Sequence, residues 1–197
     1  MFIRSIAMEG GIGPVAGSSH HSIYHRMPGA KIIAPMTPKE YQLAYDSFMA
    51  EDDVYYVSEH RKSYDNAREF PNIIHANADL TLFPISITRF AAEEARAILR
   101  EQGLKINIIH QVWIKPFVFR ESWKTALADS KFGGLVLDDD YEEGVASSIA
   151  HQMMMKVNNR VDTFCLRHRT AGFHPDVDNL PPTTEEIVRK VKEMCNV

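Results

Sequence analysis

Residues 10–38 read GGIGPVAGSSHHSIYHRMPGAKIIAPMTP, and this stretch decides the fold of the first part of the chain. It joins a glycine-rich loop, two adjacent histidines, a short strand and the start of a helix. Gly10, Gly11 and Gly13 allow the backbone to adopt positive φ or to approach another group closely at no steric cost. A loop of this kind followed by regular structure is typical of a functional site.

A strand and a helix start follow the loop. Ile32 and Ile33 lie between turn-forming residues, which predicts a short buried strand. Thr37, Pro38 and Glu40 then have the order of an N-cap, a first helical residue and the acidic partner of a capping box. The pattern predicts a βα unit.

His20 and His21 lie where the glycine-rich loop meets this βα unit. Loops that enter such units often carry catalytic side chains, and imidazole exchanges protons near neutral pH. We therefore predict that one of the two histidines is catalytic and that both lie at an open edge. A loop histidine without any role is the alternative.

Strands and helices alternate along the whole chain. The residue pattern predicts strands at 2–8, 31–34, 54–57, 80–83, 104–109, 134–137 and 163–167, and helices at 38–50, 90–102, 117–128, 142–155 and from 183 onward. This alternation favours an α/β fold with a mainly parallel sheet. Residues 65–77 are polar and irregular, so we predict a domain boundary there.

Several motifs, in this order, resemble the thiamine-diphosphate-dependent enzymes, above all the β subunits of 2-oxo-acid dehydrogenases and the C-terminal half of transketolase. They are SHHS, PGAKIIAP and TPKE in the first part, and GLKINII, IKPF, GLVLDDD and LPPTTEEIV in the second. The resemblance implies that residues 1–64 are the C-terminal part of a pyrimidine-binding domain and 65–77 a linker. Residues 78–197 would form a three-layer α/β/α transketolase C-terminal-like domain with a mixed, mainly parallel five-stranded sheet.

The resemblance also implies a function. In the family, a histidine after the loop lines the active site, and here either His20 or His21 takes that position. The cofactors would be thiamine diphosphate and Mg²⁺, held mainly by a partner chain or by a region outside this sequence. Gly-Asp-Gly does not occur, and the family's activating glutamate, which lies upstream of the loop, is not matched among the nine residues before Gly10. Cofactor-binding residues within the chain stay unassigned.

We therefore expect a subunit or fragment of an oxidoreductase or transferase of carbohydrate metabolism that is not active alone. It would contribute the histidine and a dimerisation domain to a homo- or hetero-oligomer acting on a 2-oxo acid or a sugar phosphate. The alternative function is a non-catalytic assembly or regulatory subunit that kept the fold without a working site.

Composition limits the other possibilities. The 197 residues are 45% hydrophobic and carry a net charge of −4, so neither nucleic acid nor a membrane is an expected partner, and a cytoplasmic protein is expected. Cys165 and Cys195 fit no metal spacing and are interpreted as reduced thiols. The acidic run at 138–143 is interpreted as a solvated turn before a helix, and no metal site is predicted.

Overall fold

The computed structural model describes residues 1–8, 16–170, 172, 174, 176 and 179–197, and within these ranges the chain forms two four-stranded sheets. Gly10, Gly11 and Gly13 of the predicted loop lie outside the described residues. None of the helices in these ranges has the length and apolarity needed to cross a membrane.

The first sheet has the strand order β1-β3-β2-β6. Its first three strands are parallel, and β6 pairs antiparallel with β2. The elements are β1 (Phe2–Ala7), α1 (His21–His25), β2 (Ala30–Ile33), α2 (Pro38–Ala50), β3 (Val54–His60) and β6 (Trp113–Lys115). The sequence pattern correctly predicted β1, β2 and α2 but missed the short elements α1 and β6.

The predicted start of α2 is confirmed in part. The Thr37 side chain accepts a hydrogen bond from the Glu40 backbone N–H at 3.4 Å, and Pro38 is the first helical residue. The Glu40 carboxylate, however, accepts from the Met36 N–H at 2.9 Å and from Arg89. The second half of the capping box is therefore replaced by a tertiary contact.

The second sheet is entirely parallel, in the order β5-β4-β7-β8. Its elements are β4 (Leu80–Pro84), α3 (Thr88–Glu101), β5 (Ile106–Ile108), α4 (Glu121–Ala128), β7 (Gly134–Tyr141), α5 (Val145–Met154), β8 (Val161–Leu166) and α6 (Thr184–Cys195). The prediction of an α/β fold with a mainly parallel sheet is confirmed, with four strands in the described residues where five were expected.

Hydrophobic packing places this sheet between two helical layers. Leu82 packs with Ala95 of α3 and Val191 of α6 on one face, whereas Phe83 packs with Ile149 of α5 on the other. The cluster that contains Phe83 and Ile149 also includes Ile32 and Tyr56 of the first sheet. The two sheets therefore share an apolar core. The boundary at 65–77 stays a prediction; β6 lies beyond it and pairs with the first sheet.

Helix α4 begins four residues later than the pattern predicted. The residues after Pro116 stay non-helical, and the buried Phe119 inserts into the core against Phe83, with ring centroids 6.4 Å apart. Burial of this ring favours an extended segment over the first helical turn.

Candidate functional site

His21 is the first residue of α1 and is fully buried. Its Nδ1 atom lies 3.2 Å from Ser58 Oγ on β3, and its Nε2 atom lies 3.0 Å from Asp138 Oδ2 on β7. The imidazole therefore connects strands of the two sheets near their carboxyl ends. The expectation that both histidines lie at an open edge is wrong for His21.

The acidic run is also placed differently from the sequence interpretation. Strand β7 continues through Asp138, Asp139 and Asp140, which are 0%, 1% and 4% exposed, so the solvated turn expected over 138–143 is wrong for these three residues. Glu142 and Glu143 do form an exposed turn before α5. Donors from other elements engage one oxygen of Asp139: Ser19 Oγ and Ser86 Oγ donate to Oδ2 at 2.7 and 3.2 Å, whereas the buried Oδ1 atom has no hydrogen-bond partner in the described part of the chain. Buried carboxylates require such partners because an unpaired buried charge is very unfavourable.

Asp140 and Ser22 fix the position of α1. Asp140 Oδ2 accepts from the Ser22 backbone N–H at 3.0 Å, and Ser22 Oγ accepts from the N–H of Val145, the first residue of α5, at 2.8 Å. A Cβ atom at Gly144 would lie 2.4 Å from Ser22 Oγ, so this close approach requires glycine. We call Ser19, His21, Ser22 and Asp138–Asp140 the buried clasp.

The pKa values of the buried clasp are strongly shifted. Burial alone lowers the pKa of His21, but the charge of Asp138 and the hydrogen bond to it, helped by Asp140 and Asp139, outweigh burial and raise the pKa to about 9. Burial and the Asp138 charge raise the pKa of Asp139 to about 7. His21 is therefore an imidazolium that donates from both nitrogens at neutral pH.

These shifts predict that stability falls as the pH rises. The stabilisation from protonated His21 is complete below its ordinary pKa of 6.5 and is lost as the pH rises through about 9. The raised pKa of Asp139 acts in the same direction between 3.8 and about 7. Free energies of unfolding measured by urea titration from pH 6 to pH 10 should show this decline.

Substitution of a buried and of an exposed histidine tests which group causes the decline in stability with pH. His21→Gln should flatten the decline above neutral pH, whereas His151→Gln, at an exposed position of α5, should leave it unchanged. Equal slopes for wild type and His21→Gln would contradict the assignment of His21 as the titrating group.

His20, unlike its neighbour, reaches a cavity. It is partly exposed, and its Nδ1 atom lies 3.5 Å from Ser18 Oγ. The cavity of about 510 Å³ is lined by His20, Ile23, Asp140 and Tyr141. His168, which follows β8, also lines it. The structure thus brings the two adjacent histidines into different environments, one buried and one facing open space.

The described acidic and histidine side chains do not fit a site for the Mg²⁺ ion that would accompany a diphosphate. Among the described residues, no three His, Cys, Asp or Glu side chains come together in a way that could hold a metal ion. Mg²⁺ needs several converging oxygen ligands, and the carboxylates of Asp138 and Asp140 already contact His21 and the Ser22 N–H. These residues offer a cavity wall that includes His20.

Comparisons with known proteins agree with this fold. No family model matches the chain. The β subunit of the pyruvate dehydrogenase E1 component from Mesostigma viride is 22% identical over 187 residues, covering 87% of this chain and 52% of the relative. The chain therefore spans about half the length of the curated relative that it matches.

Two solved structures share the fold over 99% of this chain. A split-gene transketolase in an inactive β4 tetramer has a TM-score of 0.70 at 14% identity, with 66% of its chain covered. Transketolase from Pichia stipitis, as an H261F mutant, has a TM-score of 0.65 at 13% identity, with 30% covered.

In fold and in sequence, the chain resembles the thiamine-diphosphate-dependent enzymes, as the sequence motifs predicted. Within that class, it is similar to the pyruvate dehydrogenase β subunit in sequence and to transketolase in fold.

Proposed function

We propose that the chain is a subunit or fragment of a thiamine-diphosphate-dependent enzyme of the 2-oxo-acid dehydrogenase or transketolase type. It contributes His20 to the substrate pocket and a domain for dimerisation. A partner chain or a further region holds thiamine diphosphate and Mg²⁺, and the substrate is a 2-oxo acid or a sugar phosphate.

The observation that carries this proposal is the unequal placement of the two histidines. His21 is engaged by Ser58 and Asp138 inside the protein, whereas His20 faces a cavity of about 510 Å³. A group that exchanges protons with substrate must reach it directly or through one water. His20 meets this condition, and His21 is a positioning residue that holds α1.

The chemistry that this chain supplies is proton handling. The bound cofactor would supply carbanion stabilisation. His20 donates a proton to, or accepts one from, the substrate oxygen. The buried clasp fixes the backbone of α1, so the imidazole stays in place during the reaction.

The split-gene transketolase supports the need for a second polypeptide. Its β4 tetramer is described as inactive, and it shares the fold of nearly the whole chain. The described residues of the present chain likewise lack a metal-ligand cluster. Both observations support the proposal that activity requires assembly with a chain that binds the cofactor.

Replacement of His20 tests the proposal. His20→Gln should lower the turnover of the reconstituted enzyme by about 10²–10⁴-fold, the usual contribution of a general acid or base. The assay mixes the full chain with candidate thiamine-diphosphate-binding chains, the cofactor and Mg²⁺, and follows 2-oxo-acid decarboxylation or ketol transfer. Circular dichroism should show an unchanged fold.

His151→Gln is the matched control, since it removes an exposed imidazole from α5 outside the cavity. Full activity of the His20→Gln variant would contradict a catalytic role for His20. Absence of cofactor-dependent turnover with every partner would instead favour the assembly or regulatory alternative.

A further inference from the structure

Strand β1 lies at an open edge of the first sheet. It pairs with β3 over all six of its residues, and among the described residues no strand pairs with its other side. The register runs from Phe2 opposite Tyr55 to Ala7 opposite His60 without a shift. An unbroken strand of this kind presents a row of unpaired peptide groups to its surroundings.

Three residues of β1 direct their peptide groups outward. The Tyr55 N–H donates to the Met1 carbonyl oxygen at 2.8 Å. Because successive peptide groups of a strand point in opposite directions, the odd-numbered residues of β1 face β3. The N–H and C=O groups of Phe2, Arg4 and Ile6 therefore point away from the sheet.

The other sheet edges in the described ranges are protected. Ile73 pairs antiparallel with Ile108 of β5, and β6 has only three residues and is followed by Pro116. Strand β8 carries Asp162, which forms ion pairs at 2.5 and 3.7 Å. Covered edges, short strands, prolines and charges are devices by which proteins prevent unwanted strand pairing. Strand β1 is longer than β6 and has neither a proline nor a bulge.

Both faces of β1 are covered, although its edge is open. On one face, the Phe2 ring stacks on Tyr45 of α2 with ring centroids 4.8 Å apart. On the other face, Ile3 packs against the core cluster that contains Phe83. Ile6 remains 49% exposed. Strands covered on both faces are typical of the interior of a parallel sheet, so β1 is suited to a further neighbour.

A second copy of the chain fits this edge poorly. Across a twofold axis the two β1 strands run antiparallel, and only the register centred on Arg4 pairs the outward peptide groups of Phe2, Arg4 and Ile6 together. That register places two Arg4 side chains directly opposite each other, which is unfavourable for like charges. The Glu59 carboxylate is already engaged by its own Arg4 through hydrogen bonds of 2.7 and 2.9 Å.

We propose that β1 pairs with an extended strand of the partner chain that binds the cofactor, so that the first sheet continues across the interface. The inference rests on the proposed function, which requires such a chain. The complementary strand carries apolar side chains beside Phe2 and Ile6 and no cation beside Arg4.

The position of β1 relates this interface to the candidate site. A parallel strand added to β1 ends at the same edge of the sheet as Ala7. At that edge, the Met8 N–H donates to the Ala16 carbonyl oxygen at 2.8 Å, and the chain continues to His20. The added strand therefore brings residues of the partner chain to the carboxyl edge of the sheet, where open α/β sheets bind ligands.

Hydrogen–deuterium exchange with residue resolution tests strand addition. The full chain is mixed with the candidate thiamine-diphosphate-binding chains of the reconstitution assay. Assembly should slow exchange of the outward Arg4 and Ile6 amides at least about tenfold. The Ser5 amide, which already faces β3, should change little and is the internal control. This measurement uses the wild-type chain and needs no turnover.

Ile6→Pro tests the same contact by removing one outward N–H, a change that edge strands tolerate. It should raise the dissociation constant of the complex at least about tenfold, because a hydrogen-bond acceptor of the partner is left unsatisfied. Ile6→Val keeps the N–H and should change the constant less than about threefold. Sedimentation velocity measures binding, and circular dichroism checks the fold of both variants.

The outcomes separate this inference from the proposed function. Turnover without protection of the Arg4 and Ile6 amides, or with equal dissociation constants for wild type and Ile6→Pro, would overturn strand addition and leave the function standing. Alternating protection without cofactor-dependent turnover would support strand addition and contradict the function. Self-association of the chain alone with the same protection pattern would assign the edge to a second copy and overturn the proposal. Absence of a complex with every candidate chain would contradict both.

Discussion

Asp138→Ala is expected to lower the free energy of unfolding by about 3–5 kcal/mol, the cost of removing one partner from a buried ion pair. Asp138 and His21 are both 0% exposed, and their side chains lie 3.0 Å apart. Without Asp138, the imidazole must either stay charged with only the more distant Asp140 and Asp139 nearby, or lose its proton in a site that favours the imidazolium. Urea unfolding at pH 7 measures the loss.

The control for this prediction is Asp162→Ala. Asp162 also pairs with cations, but its partners Arg160 and Lys190 have side chains that are 66% and 30% exposed, so the change should cost less than about 1 kcal/mol. Similar losses for both variants would show that burial does not govern the His21–Asp138 pair. A double-mutant cycle with His21→Gln should give a coupling energy of at least about 1 kcal/mol, as for residues in direct contact.

Arg89→Met is expected to destabilise the chain by a similar amount, about 3 kcal/mol or more. Arg89 on α3 is 0% exposed, and its two terminal nitrogens each lie 2.7 Å from a carboxylate oxygen of Glu40 on α2. Its Nε atom donates to His110 Nδ1 at 3.2 Å, and His110 Nε2 lies 2.9 Å from Glu93 Oε1. The substitution leaves Glu40 without its main counterion.

A second substitution distinguishes a lost charge partner from lost packing. Arg89→Met combined with Glu40→Gln should be more stable than Arg89→Met alone, because no unpaired carboxylate remains. Arg160→Met, which breaks an exposed pair, is the matched control and should cost less than about 1 kcal/mol. If the double variant is no more stable than Arg89→Met, loss of packing against Phe70, whose ring lies 4.9 Å away, is the cause.

The candidate site was only partly predictable. The sequence identified His20 and His21 as a pair, because their place after a glycine-rich loop is visible in the order of residues. It did not separate their roles, since adjacent residues at a helix start point in different directions. It also did not identify Arg89, whose burial depends on a glutamate 49 positions away.

A signal for the buried acidic run was present but ambiguous. Asp138 follows directly on the apolar residues 135–137, so an extended strand was as consistent with the pattern as a turn. Three consecutive carboxylates favour solvent in isolation. Serine hydroxyls and an imidazolium from other elements reverse that preference.

Local sequence alone determined the alternation of strands and helices, the Thr37 N-cap and the α/β class, because these depend on residues within a few positions of each other. Tertiary structure alone decided which histidine is buried and which faces a cavity. His21 meets Asp138 across 117 positions, and only the packing of the two sheets brings a cation to a carboxylate that would otherwise remain in water.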